Sequence, residues 1–171
     1  RLLMLAVTLA VAALSAVGFF ADRLQGGLSR DARALIGGDV VISSDNAPPP
    51  AFEQQARELG LTVAQTLNFP TMGRAREEEG GGARLVALKS VGEGYPLRGS
   101  LRVAESPTAT DAPTRDIPAP GTAWVDAALL ASLNLQMGQP LLLGDSSLTI
   151  ARVIVVEPDR GAGFMSFAPR V

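Results

Sequence analysis

Neither cysteine nor histidine occurs among the 171 residues. Without cysteine there is no disulfide framework, no thiol nucleophile and no thiolate metal site. Without histidine there is no Ser-His-Asp triad, no imidazole base and no ordinary zinc site. Most hydrolase chemistry is thereby excluded, and the chain is read as non-enzymatic. Lysine is almost missing too: of the 15 basic residues, all but Lys89 are arginine. With a formal net charge of -2 and no basic block, the chain has no electrostatic footprint for nucleic acid. The absence of cysteine leaves the redox compartment open, because an exported domain can do without disulfides.

What the chain does have is an uncharged beginning. Residues 2–20 are almost wholly Leu, Ala, Val, Met and Phe, interrupted only by Thr8, Ser15 and Gly18. At a helical rise of ~1.5 Å per residue, about 20 such residues cross the ~30 Å hydrocarbon core of a bilayer. The pattern predicts a transmembrane helix over 1–21, with the rest of the chain on one side of the membrane. Two alternatives are a cleaved signal and a buried core helix. A signal has a shorter apolar core followed by a small-residue cleavage site, whereas this run ends on Val17-Gly18-Phe19-Phe20. Leu24, Leu28 and Leu35 then recur at helical spacing among Asp22, Arg23, Arg30, Asp31 and Arg33. That predicts an amphipathic stalk over 22–38, either carrying movement or packing on the folded part. Gly26 and Gly27 are its weak point, and Gly37-Gly38 its end.

The folded part divides by composition into a first α/β lobe (39–103), a Pro/Thr-rich connector (104–121) and a second lobe with a return segment (122–171). In the first lobe a strand is expected at 39–43, a helix at 51–59 and a strand at 61–69, making a split βαβ-like unit. Residues 74–82 read as a solvated loop, since Arg-Ala-Arg-Glu-Glu-Glu-Gly-Gly-Gly buries nothing. A strand follows at 84–91 and a short one at 99–103. In the second lobe a strand at 122–125 leads to a short helix capped by Asp126. A strand at 140–143 and a hairpin into a long strand at 148–156 complete it. The fold class is α/β (α+β), with a second lobe that is mostly β. Opening on Arg1 and closing on Ala168-Pro169-Arg170-Val171, the chain reads as a piece of a longer protein.

Candidate contact or hinge residues are few. Tyr95 and Arg98, flanked by Gly94, Pro96 and Gly99, could form a rigid exposed contact. The alternative is that Tyr95 packs the loop on the core and Arg98 pairs with a carboxylate. Asp159 and Arg160, near Gly161 and Gly163, form either a hinge or an ordinary turn with a solvated ion pair. Gly26 and Gly27 are the candidate flexible point of the stalk. Glu157 and Asp159 as an acid–base pair lack any supporting constellation. Glu77-Glu78-Glu79 beside glycines is not preorganised for a metal. Phe164, Met165 and Phe167 either pack in the core or face lipid or a second half of the parent protein.

The order of these pieces resembles the periplasmic core domain of FtsX-like and MacB-like ABC transporter permeases. The residues that carry it are Gly121-Thr122-Ala123-Trp124-Val125-Asp126 and Leu133-Asn134-Leu135-Gln136-Met137-Gly138, with Gln139 where Asp is usual. Ser15-Ala16-Val17-Gly18-Phe19-Phe20-Ala21-Asp22-Arg23-Leu24, Tyr95-Pro96-Leu97-Arg98-Gly99, Glu157-Pro158-Asp159-Arg160-Gly161 and Phe167-Ala168-Pro169-Arg170 are similar to the YbbP-like branch. The resemblance implies a permease subunit of the bacterial inner membrane, with residues after about Asp22 in the periplasm. Arg1 before the span agrees with that orientation. It also implies ATP bound by a separate cytoplasmic subunit, so no cofactor in this chain. The implied partners are that subunit, the lipid bilayer, and a periplasmic protein or a hydrophobic, lipid-like substrate.

Overall fold

The computed structural model describes residues 1–160 and 167–171, with the side chains of all of these but 33 and 34. Its first element is one unbroken helix, α1 (Leu2–Leu35), of 34 residues. At ~1.5 Å per residue it is about 51 Å long, roughly 20 Å more than a bilayer core. Its leading residues are exposed, Leu2 at 88% and Phe20 at 68%, so this is no core helix of the folded part. It is long and apolar enough to cross a membrane. The helix passes through Gly26-Gly27 without a break, and Leu24, Leu28 and Leu35 remain exposed. The stalk therefore does not lay its apolar stripe on the folded part. It stops where Gly37 takes a left-handed φ of 69°, the conformation that costs glycine least.

The expected strand at 39–43 is not formed. Val40, Val41 and Ile42 lie outside the sheet and are exposed. A β-branched run becomes a strand only where a ladder partner meets it, and among the described residues no strand meets this one. Helix α2 (Pro50–Glu58) follows with proline at its start, and Gly60 (φ 75°) lies just beyond it. Strand β1 (Thr66–Arg74) begins later and ends later than the period-two pattern suggested. Its bounds are set by the hairpin with β2 (Ala83–Val91), in register from Thr66↔Val91 to Arg74↔Ala83. The proposed split βαβ unit is thus replaced here by an antiparallel pair. Pro70 is tolerated inside β1 for a definite reason. Its partner Ala87 directs both backbone groups to the return segment. The missing N–H of Pro70 therefore faces the outer edge of β1, where β6 reaches only Gly73 and Arg74.

Strands β3 (Leu101–Ala104), β4 (Ala112–Thr114), β5 (Thr122–Asp126), β6 (Pro140–Leu143) and β7 (Ser146–Val156) complete a seven-stranded sheet. Helix α3 (Ala127–Leu133) follows β5 directly. The class is α+β with an apolar N-terminal helix, and a strand–helix–strand unit does occur, at β5, α3, β6 and β7. There β5 and β7 pair in parallel, while β6 and β7 form a hairpin across Gly144-Asp145. Gln139 accepts the Gln136 backbone N–H at 2.7 Å through its side-chain oxygen, so the turn forms with glutamine at this position. Strands from both sides of the 104–121 stretch join this one sheet, which β7 gathers by pairing with β3, β5 and β6.

Residues 169–171 run parallel to β2, bridging at Ala87↔Arg170. Arg170 also accepts the Asp126 N–H at the end of β5. The pairings then run full circle, from β5 through β7, β6, β1 and β2 to residues 169–171 and back. The main core fills this ring: Val86, Val125, Leu129, Leu141, Ile150, Val153 and Val171 are all buried in it. Truncating Leu141 (0% exposed) to alanine is expected to cost about 2–5 kcal/mol, measured by chemical denaturation.

Candidate functional site

Lys89 lies on β2, one residue beyond the half-buried Leu88, and strand alternation sends its side chain to the opposite face. There only 6% of it is exposed. Burying an ammonium is costly unless it is paired and hydrogen-bonded. Its Nζ donates to Glu157 Oε1 at 2.8 Å, Asp159 Oδ1 at 2.6 Å and the Tyr95 hydroxyl oxygen at 2.7 Å. It also stands 4.5 Å from the centre of the Tyr95 ring. The Tyr95 hydroxyl donates in turn to Asp159 Oδ1. Arg170 supplies the second positive charge, its Nε 3.3 Å from Glu157 Oε2. That pair is held by charge alone, since neither atom makes an aligned hydrogen bond. Two cations against two carboxylates keep the cluster neutral, which limits its desolvation cost.

The cluster extends to β5. Asp126 stands where a helix cap would, but makes no cap to α3. Its carboxylate instead accepts the Arg170 N–H at 3.0 Å and the Arg160 guanidinium at 3.1 Å, while Arg170 donates to the Arg160 carbonyl. Asp159 and Arg160 therefore do not form a solvated pair with each other; each binds a different partner. Glu157 and Asp159 do come together, but as joint counterions of one ammonium rather than as an acid–base pair. Among the described residues, no three acidic side chains are grouped to hold a metal ion.

The stalk arrives at this same cluster. Gly37 is buried against Asp159, and a Cβ there would stand 3.1 Å from Asp159 Oδ2. The Gly37 carbonyl accepts the Arg98 N–H at 3.0 Å, and the Arg98 guanidinium clasps Asp39 at 2.7 Å. That outer pair is about half exposed, so it is screened and weak. Tyr95 is not an exposed contact: it is 4% exposed and packs with Leu101, Val103 and Trp124. Gly26 and Gly27 lie far from these groups in sequence, within α1, and a Cβ on either would meet nothing within 4 Å. Phe167 is 87% exposed, while Gly161, Gly163, Phe164 and Met165 lie outside the described residues. Sequence reasoning passed over Lys89 and Arg170. The available signal was that the chain's single lysine sits inside an apolar strand.

A helix long and apolar enough to cross a bilayer, followed by a sheet-based body, fits a membrane protein. Over 167 residues, 98% of its length, the chain is 35% identical to YbbP of Escherichia coli strain K12, an uncharacterized ABC transporter permease. The chain is thus similar to a segment of an ABC transporter permease and spans 19% of that relative's length. No protein-family profile and no solved structure matches it.

Burial above all, then the hydrogen bond to Asp159 and the charges of Asp159 and Glu157, hold the Tyr95 hydroxyl protonated well above its ordinary range; Arg170 opposes this more weakly. Because the folded pKa is raised, this contribution to stability is complete below about pH 10 and is lost as pH rises beyond it. Tyr95 is the chain's one tyrosine, so tyrosinate absorbance in an alkaline titration should appear only with unfolding. Lys89→Met should cost about 3–5 kcal/mol by leaving two buried carboxylates facing each other, read as a lowered denaturation midpoint.

Proposed function

We propose that this segment transmits motion between a membrane helix and a periplasmic body in an ABC transporter permease. In this reading the body lies outside the bacterial inner membrane, and a separate cytoplasmic subunit binds and hydrolyses ATP. The cargo is hydrophobic or lipid-like, handled on the periplasmic side. The observation that carries the reading is the seat of Gly37 against Asp159. Helix α1, about 51 Å long, leads within two residues to Gly37 beside a carboxylate that Lys89 and Tyr95 share. A shift or rotation of α1 therefore has to displace that carboxylate or be resisted by it. The exposed stripe of Leu24, Leu28 and Leu35 supports a free stalk over one fixed along the body. The similarity to a permease supports ATP use by a partner rather than chemistry in this chain.

The test uses the stalk glycines, since alanine fits sterically at both positions and gains about 1 kcal/mol of helix stability at each. Gly26→Ala combined with Gly27→Ala should change the coupling of ATPase rate to transport by a few-fold, with unchanged expression. The measurement is made on the membrane-embedded permease with its ATP-binding subunit. Unaltered coupling would remove the mechanical role of the stalk. Isolation from native membranes without any ATP-binding subunit would favour an anchored binding module.

A further inference from the structure

Past the uncharged run, α1 keeps an apolar line that the folded part leaves exposed. Val17, Ala21, Leu24, Leu28, Asp31 and Leu35 follow one another at alternating spacings of four and three. At ~100° per residue they fall within an arc of about 80°, which is the seam of a coiled coil. Lipid does not reach its outer part. At ~1.5 Å per residue, Leu28 and Leu35 stand about 12 and 22 Å beyond Phe20, past a headgroup layer ~5–8 Å deep. Their burial requires another apolar surface. Because the seam already begins at Val17, inside the uncharged run, that surface follows α1 out of the membrane, as a second helix does.

Asp31 defines the chemistry of this second helix. It is exposed on the seam between Leu28 and Leu35. No cation stands three or four residues away on α1, where positions 27, 28, 34 and 35 are Gly, Leu, Leu and Leu. Once the seam is covered, its carboxylate loses water and needs a cation across the interface. A second copy of α1, parallel in the same membrane, would set Asp31 against Asp31, and like charges there oppose pairing. The partner is therefore a helix of different sequence. The chain spans 19% of the length of YbbP, so a protein of that size has further chain to supply one.

We propose that the outer part of α1 is one strand of a two-helix coiled coil. Its second strand is another helix of the same polypeptide, emerging from the membrane beside α1, with an Arg or Lys facing Asp31. This pairing rests on the reading of α1 as a membrane helix, and its test needs neither ATP nor cargo.

The test is photo-crosslinking of the full-length protein in its native membrane, read by peptide mass spectrometry. Leu28, on the seam, or Gly26, on the opposite side of α1, is replaced by p-benzoylphenylalanine. The probe at position 28 should link to one peptide of the same polypeptide that contains Arg or Lys, and the probe at position 26 should not. Asp31→Lys should lower that yield roughly tenfold, whereas Asp31→Glu should keep it. Reversing the partner's cation to Glu in the Asp31→Lys background should restore it. No link from position 28, links only to lipid, to a second copy or to another protein, or equal yields from both positions overturn the pairing. A yield indifferent to Asp31→Lys overturns the charge match. A specific link combined with ATPase coupling that ignores the stalk glycines would uphold the pairing and remove the mechanical role. No link combined with altered coupling would do the reverse.

Discussion

Lys89 places a positive charge on the inner side of a strand, and the structure around it is arranged to keep that charge tolerable. Two carboxylates from the end of β7, one phenol from the Tyr95 turn and a second cation from the return segment converge within hydrogen-bond or ion-pair distance. Each comes from a different part of the chain, so neutralising one ammonium ties four segments together. The energetic logic is asymmetric. A complete set of partners roughly offsets the cost of desolvation, while removing any one leaves a buried charge unanswered. Such a cluster adds little net stability compared with apolar packing. Its effect is to hold one arrangement of its parts.

That cluster also marks where the stalk meets the folded part. The chain leaves α1 and enters the body at Gly37, where a side chain would be strained, since φ is positive and a Cβ would stand 3.1 Å from Asp159 Oδ2. The outer Arg98–Asp39 pair is half exposed and orients the junction without locking it. The end of the helical segment thus meets a tight, charged socket. The same socket reaches Arg170 and the strand that closes the sheet.

Much of the architecture was legible from local chemistry. The uncharged run of residues 2–20, the glycine stop at 37–38, α2 behind its prolines, and the hairpin at Gly144-Asp145 all follow from short-range rules of length, φ and turn geometry. The Tyr95-Pro96-Leu97-Arg98-Gly99 and Glu157-Pro158-Asp159 motifs could be singled out, but not the fact that both face Lys89. Residues 39–43 had strand propensity and formed no strand, whereas residues 70–74, beyond the strand expected at 61–69, became ladder. In both cases pairing, which depends on residues elsewhere in the chain, overrode the local pattern.

The sequence by itself determined the membrane-type helix, the exclusion of thiol and imidazole chemistry, the α+β class and the resemblance to permeases. These depend on composition and near-neighbour spacing, which a linear string displays directly. Only the tertiary structure decided that β1 pairs with β2, that residues 169–171 close the ring, and that Asp126 serves two arginines instead of capping α3. It also decided which carboxylates answer the single lysine, across 68 and 70 positions of chain. A buried charge selects its partners by proximity in the folded state, and proximity over such separations is not written in any local pattern.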